Sequence, residues 1–489
     1  MEPGGTDVRR VRAGRRGPPG DRPVTPAVDW TQGSIVGNLL KLSWPMVVSN
    51  LLMMLGPTID MVWVGRLGAA SIAGVGVAGI AVQLIMGAMM GLIMGMRAMV
   101  ARFIGGGDVP AANHVAQQAF VISAAFAALA AVIGLFFSEA IMDLFGLEED
   151  VVREGGSYLR VMFMGAAAMA FRVMTEGVMQ ASGDAVTPMV LAVFYRLLHV
   201  GLCPFLIFGW WVFPELGVQG AAVTNVVSQS LAVVVAMWFL FDGRSILFRR
   251  RGLLPLPAFG QSRLKLTMKD FRLDPSIIWR IVRIGLPAMV SGIQRTLSHF
   301  FLMYFMVPFG TVAVAAHSLI QRLEMMLFMP GMAFGSASGV LVGQNLGAGQ
   351  PRRAEKSAWL AAGMVGGIVV VFSLVLLFFS ESVVRIFSQE PELVSQGGVF
   401  LRIAVAGYIA LPLTSVFMNS LSGAGDTLPP MIIGVATVWL VQLPMAYFLP
   451  RLTDLGVYGV RWAIVAGMIA ASIGYTTYFS TGRWKRKQV

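Results

Sequence analysis

The chain predicts an all-α polytopic membrane protein, about twelve transmembrane helices arranged as two parallel six-helix repeats. Three observations carry that reading. Of 489 residues, 56% are hydrophobic and 13% charged, where soluble domains carry nearer ~25% charged residues. Apolar stretches of about 20 residues, long enough to cross a bilayer, recur along the whole chain. A set of motifs then returns 242 residues after its first appearance.

The expected spans are 38–64, 72–97, 116–138, 157–181, 187–211 and 217–241, followed by 280–306, 313–340, 357–380, 398–422, 428–449 and 455–480. They divide the chain into a disordered basic tail (1–35), an N-lobe (36–241), a basic linker (242–279), a C-lobe (280–480) and a short basic tail (481–489). The first tail holds Arg9, Arg10, Arg12, Arg15, Arg16 and Arg22 among Gly and Pro. No apolar run with a small-residue cleavage site follows, so it does not read as a signal peptide, and anionic lipid is its expected contact. The net charge of +12 sits in loops and does not call for nucleic acid. Placing the N-terminus inside puts Arg97, Arg102, the linker, Arg352, Arg353, Lys356 and the C-terminal tail inside too, and leaves Glu148, Glu149 and Asp150 outside. Positive-inside asymmetry thus expects both termini in the cytosol. Cys203 is the only cysteine, which excludes an intrachain disulfide.

The repeat pairs Pro45 with Pro287, Gly68 with Gly310, Gly107 with Gly349, and Gly183-Asp184 with Gly425-Asp426, each 242 residues apart. Leu216-Gly217-Val218 matches Leu455-Gly456-Val457 at 239, so one outer loop is shorter. Each half has an even number of spans and the copies enter the membrane in one sense. Parallel repeats of this kind mark transporters, with the substrate site between the halves. The turns ASGDAVTPM and GAGDTLPPM read as helix ends followed by capped helix starts, with Asp184 and Asp426 as caps. The loops FIGGGDVPAA and NLGAGQPRRA are their counterparts between the second and third spans of each half.

IDMVWVGRLG after the first span, VGQNLGAGQPRRAE after the eighth, and Gly-Asp-x-x-x-Pro in both halves resemble the multidrug and toxic compound extrusion family, from about residue 35 onward. The resemblance implies two six-helix lobes in a V, alternating access, and export of organic, often cationic, compounds against inward H⁺ or Na⁺. It also places Asp60 at the family's coupling carboxylate. An acid inside a membrane is a functional candidate in its own right, the alternative being a structural Asp paired with Arg66.

The fifth span carries Arg196, His199 and Cys203 on one helix face. LLHVGLCPFLIFG puts His199 and Cys203 where the family pattern has Asn and Asp. Sodium favours oxygen ligands, by the logic that governs other hard cations, whereas histidine relays protons near neutral pH. Proton coupling is therefore favoured over sodium, with Asp60, His199, Cys203 and Asn225 of the sixth span as its candidates. Arg172 and Glu176 lie one turn apart as an expected ion pair. With Gln294, His317, Gln321 and Glu324 they are the candidate cavity residues. The position 242 after Asp60 is Leu302, which concentrates coupling in the N-lobe. Met174, Met325 and Met326 read as core before pocket wall.

No H-E-x-x-H, no G-x-x-x-x-G-K-[ST] and no cysteine cluster is present, so enzyme chemistry and ATP hydrolysis are not expected, nor is any cofactor. The reading is a monomeric, multi-pass secondary exporter of the cytoplasmic (inner) membrane, moving drug or toxin molecules against H⁺ or, less favoured, Na⁺. One rival is a flippase for lipid-linked oligosaccharide or polysaccharide, which needs a cationic cavity built from Arg172, Arg196 and Arg295. Another is a non-transporting scaffold or receptor.

Overall fold

The computed structural model describes residues 28–251, 254–269 and 271–488. The N-lobe comprises α1 (Ile35–Val64), α2 (Ala69–Gly105), α3 (Val109–Asp143), α4 (Glu149–Met164), α5 (Ala166–Ser182), α6 (Val186–Phe208) and α7 (Val218–Asp242). The C-lobe comprises α8 (Pro275–Met306), α9 (Thr311–Gly347), α10 (Pro351–Phe378), α11 (Ser380–Arg385), α12 (Pro391–Tyr408), α13 (Leu411–Gly423), α14 (Leu428–Ala436), α15 (Leu443–Leu452) and α16 (Val457–Ser480). Helix is the form available to such apolar segments, because in hydrocarbon every backbone donor and acceptor must be satisfied within the span.

Ten helices, α14 and α15 counting as one, are long and apolar enough to cross a membrane. Two further helix pairs pass the same test only together, α4 with α5 bent by 51° and α12 with α13 bent by 49°, which gives ten to twelve candidate spans among the described residues. The bends occupy equivalent places in the two lobes. Gly165 sits at the first, where a Cβ would collide with Val226 of α7.

The repeat is visible in the backbone as well as in the letters. Gly68 and Gly310, Gly107 and Gly349, Gly183 and Gly425, and Gly217 and Gly456 all take positive φ, a region that costs glycine little and other residues more. Helix starts are capped locally. Ser34 Oγ accepts from Gly37 N on α1, Asp108 from Ala111 N on α3, and Asp274 from Ser276 N and Ile277 N on α8.

Several expectations change. The basic linker is not featureless, since β1 (Arg244–Arg251) pairs antiparallel with β2 (Leu254–Gln261), from Arg244↔Gln261 to Arg251↔Leu254. Thr187 Oγ1 accepts the Ile246 amide at 2.7 Å, and Asn113 and Gln118 of α3 bond the backbone at Thr267 and Arg272. The linker is thereby strapped to the N-lobe. Residues 1–27 of the basic tail lie outside the described residues, but Trp30 is buried and its Nε1 donates to the Gly183 carbonyl at 3.1 Å. Arg97, the last residue of the expected second span, lies well inside α2, which runs on to Gly105. Asp184 bonds the amide and hydroxyl of Thr187 as an early-turn cap would. Asp426 does not cap; it accepts from Tyr478 Oη at 2.6 Å and faces Lys487 Nζ at 3.4 Å.

The cores show how the lobes meet. One apolar cluster joins Ile93, Met96 and Met99 of α2 to Ile281 and Ile284 of α8. A second joins Leu39, Leu42 and Met46 of α1 to Ala337, Val340 and Leu341 of α9. Both lie in the half of the molecule that carries the termini and the hairpin. In the opposite half the clusters are private, one around Val64, Cys203 and Ile207 in the N-lobe and one around Leu302, Ile320 and Phe400 in the C-lobe. The lobes are therefore sealed at the end bearing the termini, and beyond it no apolar cluster of the described residues links them, which leaves room for a cleft between them.

Glycines make the seal. A Cβ on Gly105 would collide with the Gln344 carbonyl, and one on Gly347 with the Arg102 carbonyl. Gly347→Val should hold the lobes apart at this end, since overpacking costs about 1–3 kcal/mol. The check is maleimide labelling of a cysteine placed at Ala101, which should become several-fold faster; an unchanged rate would show that this approach does not hold the seal.

Candidate cation-coupling site

Asp60 lies four residues before the end of α1, three residues after Pro57, in the private N-lobe core. It is only 3% exposed. Arg196, His199 and Cys203 of α6 repeat at three and four residues, so one face of that helix meets it. His199 Nε2 lies 3.0 Å from Asp60 Oδ1, and Cys203 Sγ lies 4.0 Å from the same oxygen. The imidazole approaches off the hydrogen-bond direction, which leaves Nε2 in close contact with the carboxylate without a hydrogen bond.

Arg196 fixes the state of that imidazole. Its Nη1 lies 3.2 Å from His199 Nδ1, and a guanidinium has protons to donate and no lone pair to accept. Nδ1 is therefore the acceptor, and Nε2 carries the proton of the neutral ring. The site is a line of three groups: a fixed cation, a neutral histidine presenting N–H, and a carboxylate. Room for the cation comes from α1, because a Cβ on Gly56 would occupy the place of the Arg196 guanidinium. Arg66 stacks over Trp63 at 4.8 Å and has no ion pair with Asp60.

Asp60, His199 and Cys203 are, among the described residues, the one cluster with three potential metal ligands, all within 4.8 Å of one another. The three potential ligand atoms are a carboxylate oxygen, a ring nitrogen and a thiol sulfur. Nε2 is protonated, Arg196 already supplies positive charge, and only one ligand is a carboxylate.

Asn225 does not join this cluster. It accepts from Gln229 on α7, and Gln229 Oε1 accepts from Arg172 Nε at 2.9 Å. Arg172 Nη1 pairs with Glu176 at 2.7 Å, as the one-turn spacing predicts. The Tyr195 ring lies against both guanidiniums, 4.9 Å from Arg172 and 5.0 Å from Arg196. The two N-lobe networks thus adjoin through one aromatic ring.

The C-lobe candidates separate. His317, Gln321 and Glu324 do share a face of α9, but His317 and Glu324 are buried and bonded to Arg461 of α16. Arg461 Nη2 donates to Glu324 Oε1 at 2.5 Å, and Nη1 meets His317 Nδ1 at 3.3 Å. Gln321 instead lies 2.6 Å from His299 Nδ1. Gln294 is buried with its Nε2 unpartnered among the described residues. Met174 is fully buried while Met325 and Met326 are exposed. Leu302 is buried at the position equivalent to Asp60. Arg461 escaped the sequence reading, although a lone arginine one turn into the apolar span VYGVRWAIVAG was a signal for a buried acid opposite it.

Here the cation lies between histidine and carboxylate, so Glu324 is neutralised directly. Arg461→Met should destabilise the protein by roughly 3–5 kcal/mol, because it leaves a buried carboxylate unpaired, while Arg461→Met with Glu324→Leu should recover most of the loss. Thermal unfolding in detergent measures both. A single variant as stable as the parent would show that the pair does not hold the lobe.

A model of the MatE family matches residues 45–205 and again 287–448, once in each lobe. The chain is 25% identical over 455 residues to the probable multidrug resistance protein NorM of Thermotoga maritima, covering 92% of this chain and 93% of that one. It is 23% identical over 408 residues to a FAD transporter of Shewanella oneidensis, covering 83% and 86%. A crystal structure of MATE in the bent conformation shares the fold with a TM-score of 0.83 at 23% identity, over 94% of this chain and 99% of that one. With the family model matched once in each lobe and ten to twelve candidate spans among the described residues, the chain belongs to the MATE family and is a multi-pass membrane transporter, not an enzyme.

Proposed function

We propose that the protein is a secondary active multidrug exporter of the cytoplasmic membrane that exchanges its cargo for protons at Asp60. The observation that carries this is the order Arg196–His199–Asp60. Arg196 holds His199 as a neutral donor, and the pair favours an ionised Asp60 when the site is open to a low proton concentration. Protonation removes the charge that holds α1 to α6. Because α1 also packs against α9 at the sealed end, a change in its grip on α6 is felt at the interface between the lobes.

With both termini in the cytosol, the orientation that the basic loops favour, the sealed end faces inward and the cleft opens outward. In that arrangement external protons reach Asp60, cargo leaves, and release of the proton towards the cytosol restores the binding state. Proton and cargo must favour different states for the exchange to be coupled. The chain is expected to act as a monomer among membrane lipids.

Sodium is disfavoured by the nitrogen and sulfur neighbours of Asp60. The flippase reading loses two of its three cations, because Arg172 and Arg196 are buried in lobe-internal networks. Relatives do not fix the cargo, since one is named for multidrug resistance and another for FAD.

Ethidium efflux from vesicles holding the purified protein tests the reading, with imposed ΔpH and Na⁺ gradients applied separately. ΔpH alone should drive efflux, and Asp60→Asn should lower it at least about tenfold. Efflux driven by Na⁺ alone would sink the proton assignment.

A further inference from the structure

Charges inside the bundle do not balance. Glu176 and Glu324 are ion-paired with Arg172 and Arg461, and Asp60 is faced by His199, whose other nitrogen Arg196 holds. Arg97, Arg295 and Arg322 are left with no hydrogen bond or ion pair among the described residues. No carboxylate inside the bundle is left free for an organic cation, whereas guanidiniums are left free for an anion.

Their surroundings separate the three. Arg97 lies at the sealed end in a small pocket with Ser336, Asn419, Ser422 and Gly423. That pocket meets the C-terminus of α13, whose dipole favours a cation. Arg322 is exposed on the far half of α9. Arg295 lies nearest the middle of its helix, about 7 Å past the midpoint of α8 at 1.5 Å per residue. Its side chain is accessible, yet protein surrounds it, with Tyr475 and His299 as electrostatic neighbours. Tyr475 spends its hydroxyl on the Pro430 carbonyl and His299 is held by Gln321. An arginine at this depth faces a bundle interior or a water-filled cavity, because facing lipid is too costly. Arg295 therefore lines the cleft, just beyond the point where Gly87 and Gly292 bring α2 and α8 together.

We propose that Arg295 is a binding site for an anionic group, a carboxylate or phosphate, so that of two otherwise matched cargoes the one carrying such a group binds more tightly, while organic cations without one still bind. The word cargo rests on the exporter reading; the anion site itself does not. A guanidinium offers a planar fork of donors to such a group, and charge-assisted bonds of this kind are the strong ones.

A matched dye pair tests it: rhodamine 110, which carries a free carboxylate, and its methyl ester rhodamine 123. Binding to the full chain in phosphatidylcholine nanodiscs is read by fluorescence anisotropy. The parent should bind the free acid about tenfold or more tighter than the ester. Arg295→Gln should bring the ratio near one, and Arg295→Lys should keep most of it. Sodium benzoate should displace rhodamine 110 from the parent, a readout that needs no variant. Equal or tighter ester binding by the parent, or a ratio that survives in Arg295→Gln, overturns the proposal. So does a ratio lost in Arg322→Gln instead. Adding phosphatidylglycerol separates two sources of the anion. Loss of rhodamine 110 binding in the parent would assign the site to a lipid headgroup and overturn the cargo clause, and unchanged binding would support it. If the binding preference stands but ΔpH moves neither dye, the exporter reading fails while the anion site stands.

Discussion

The contact between Arg196 and His199 is the interaction on which the functional account depends. A guanidinium does not lose its proton in a protein, so its partner nitrogen must stay bare, and the other imidazole nitrogen must carry the proton towards Asp60. That constraint is what the proposed proton exchange at Asp60 rests on. It also explains the shape of its surroundings, with glycine at position 56 where α1 passes the guanidinium and the Tyr195 ring against two cations. A buried charge is tolerated when it is paired and hydrogen-bonded, and here His199 faces Asp60 on one side and Arg196 on the other.

The same three residue types recur in the C-lobe in another order. With Arg461 between His317 and Glu324, the carboxylate is held by a permanent cation and no neutral donor stands between them. The two lobes therefore share an architecture but order the same residue types differently around their carboxylates. The seal fits this arrangement. Close backbone approach at Gly105 and Gly347 draws α2 and α9 together at one end, while each charge cluster lies in a core private to its lobe. Separation of the lobes at the seal would leave both clusters intact, as rigid-body alternation of two repeats needs.

Much of the fold was legible because it is periodic. Span length, loop charge and the 242-residue offset are one-dimensional signals, and the paired positive-φ glycines are their structural counterpart. Asp60, His199 and Cys203 were legible as a group because two of them share a helix face and the third stands in a motif. Asn225 was misassigned because position on a neighbouring span does not say which way a side chain turns, and Gln229 claims it. Arg461 was overlooked because its partners, His317 and Glu324, lie some 140 residues earlier in the chain, where no local pattern points to them. The hairpin in the linker is short and basic, and its strands carry prolines that hide a strand pattern.

Proton stoichiometry at Asp60 is the most direct test. Saturating ethidium is added to the purified protein in lightly buffered detergent, and released protons are read with a pH dye over a range of starting pH. The account predicts release of about one proton per chain where Asp60 starts protonated, and none from Asp60→Asn. Equal release from the variant, or no release from either at any starting pH, would contradict the claim that Asp60 is where proton and cargo are exchanged.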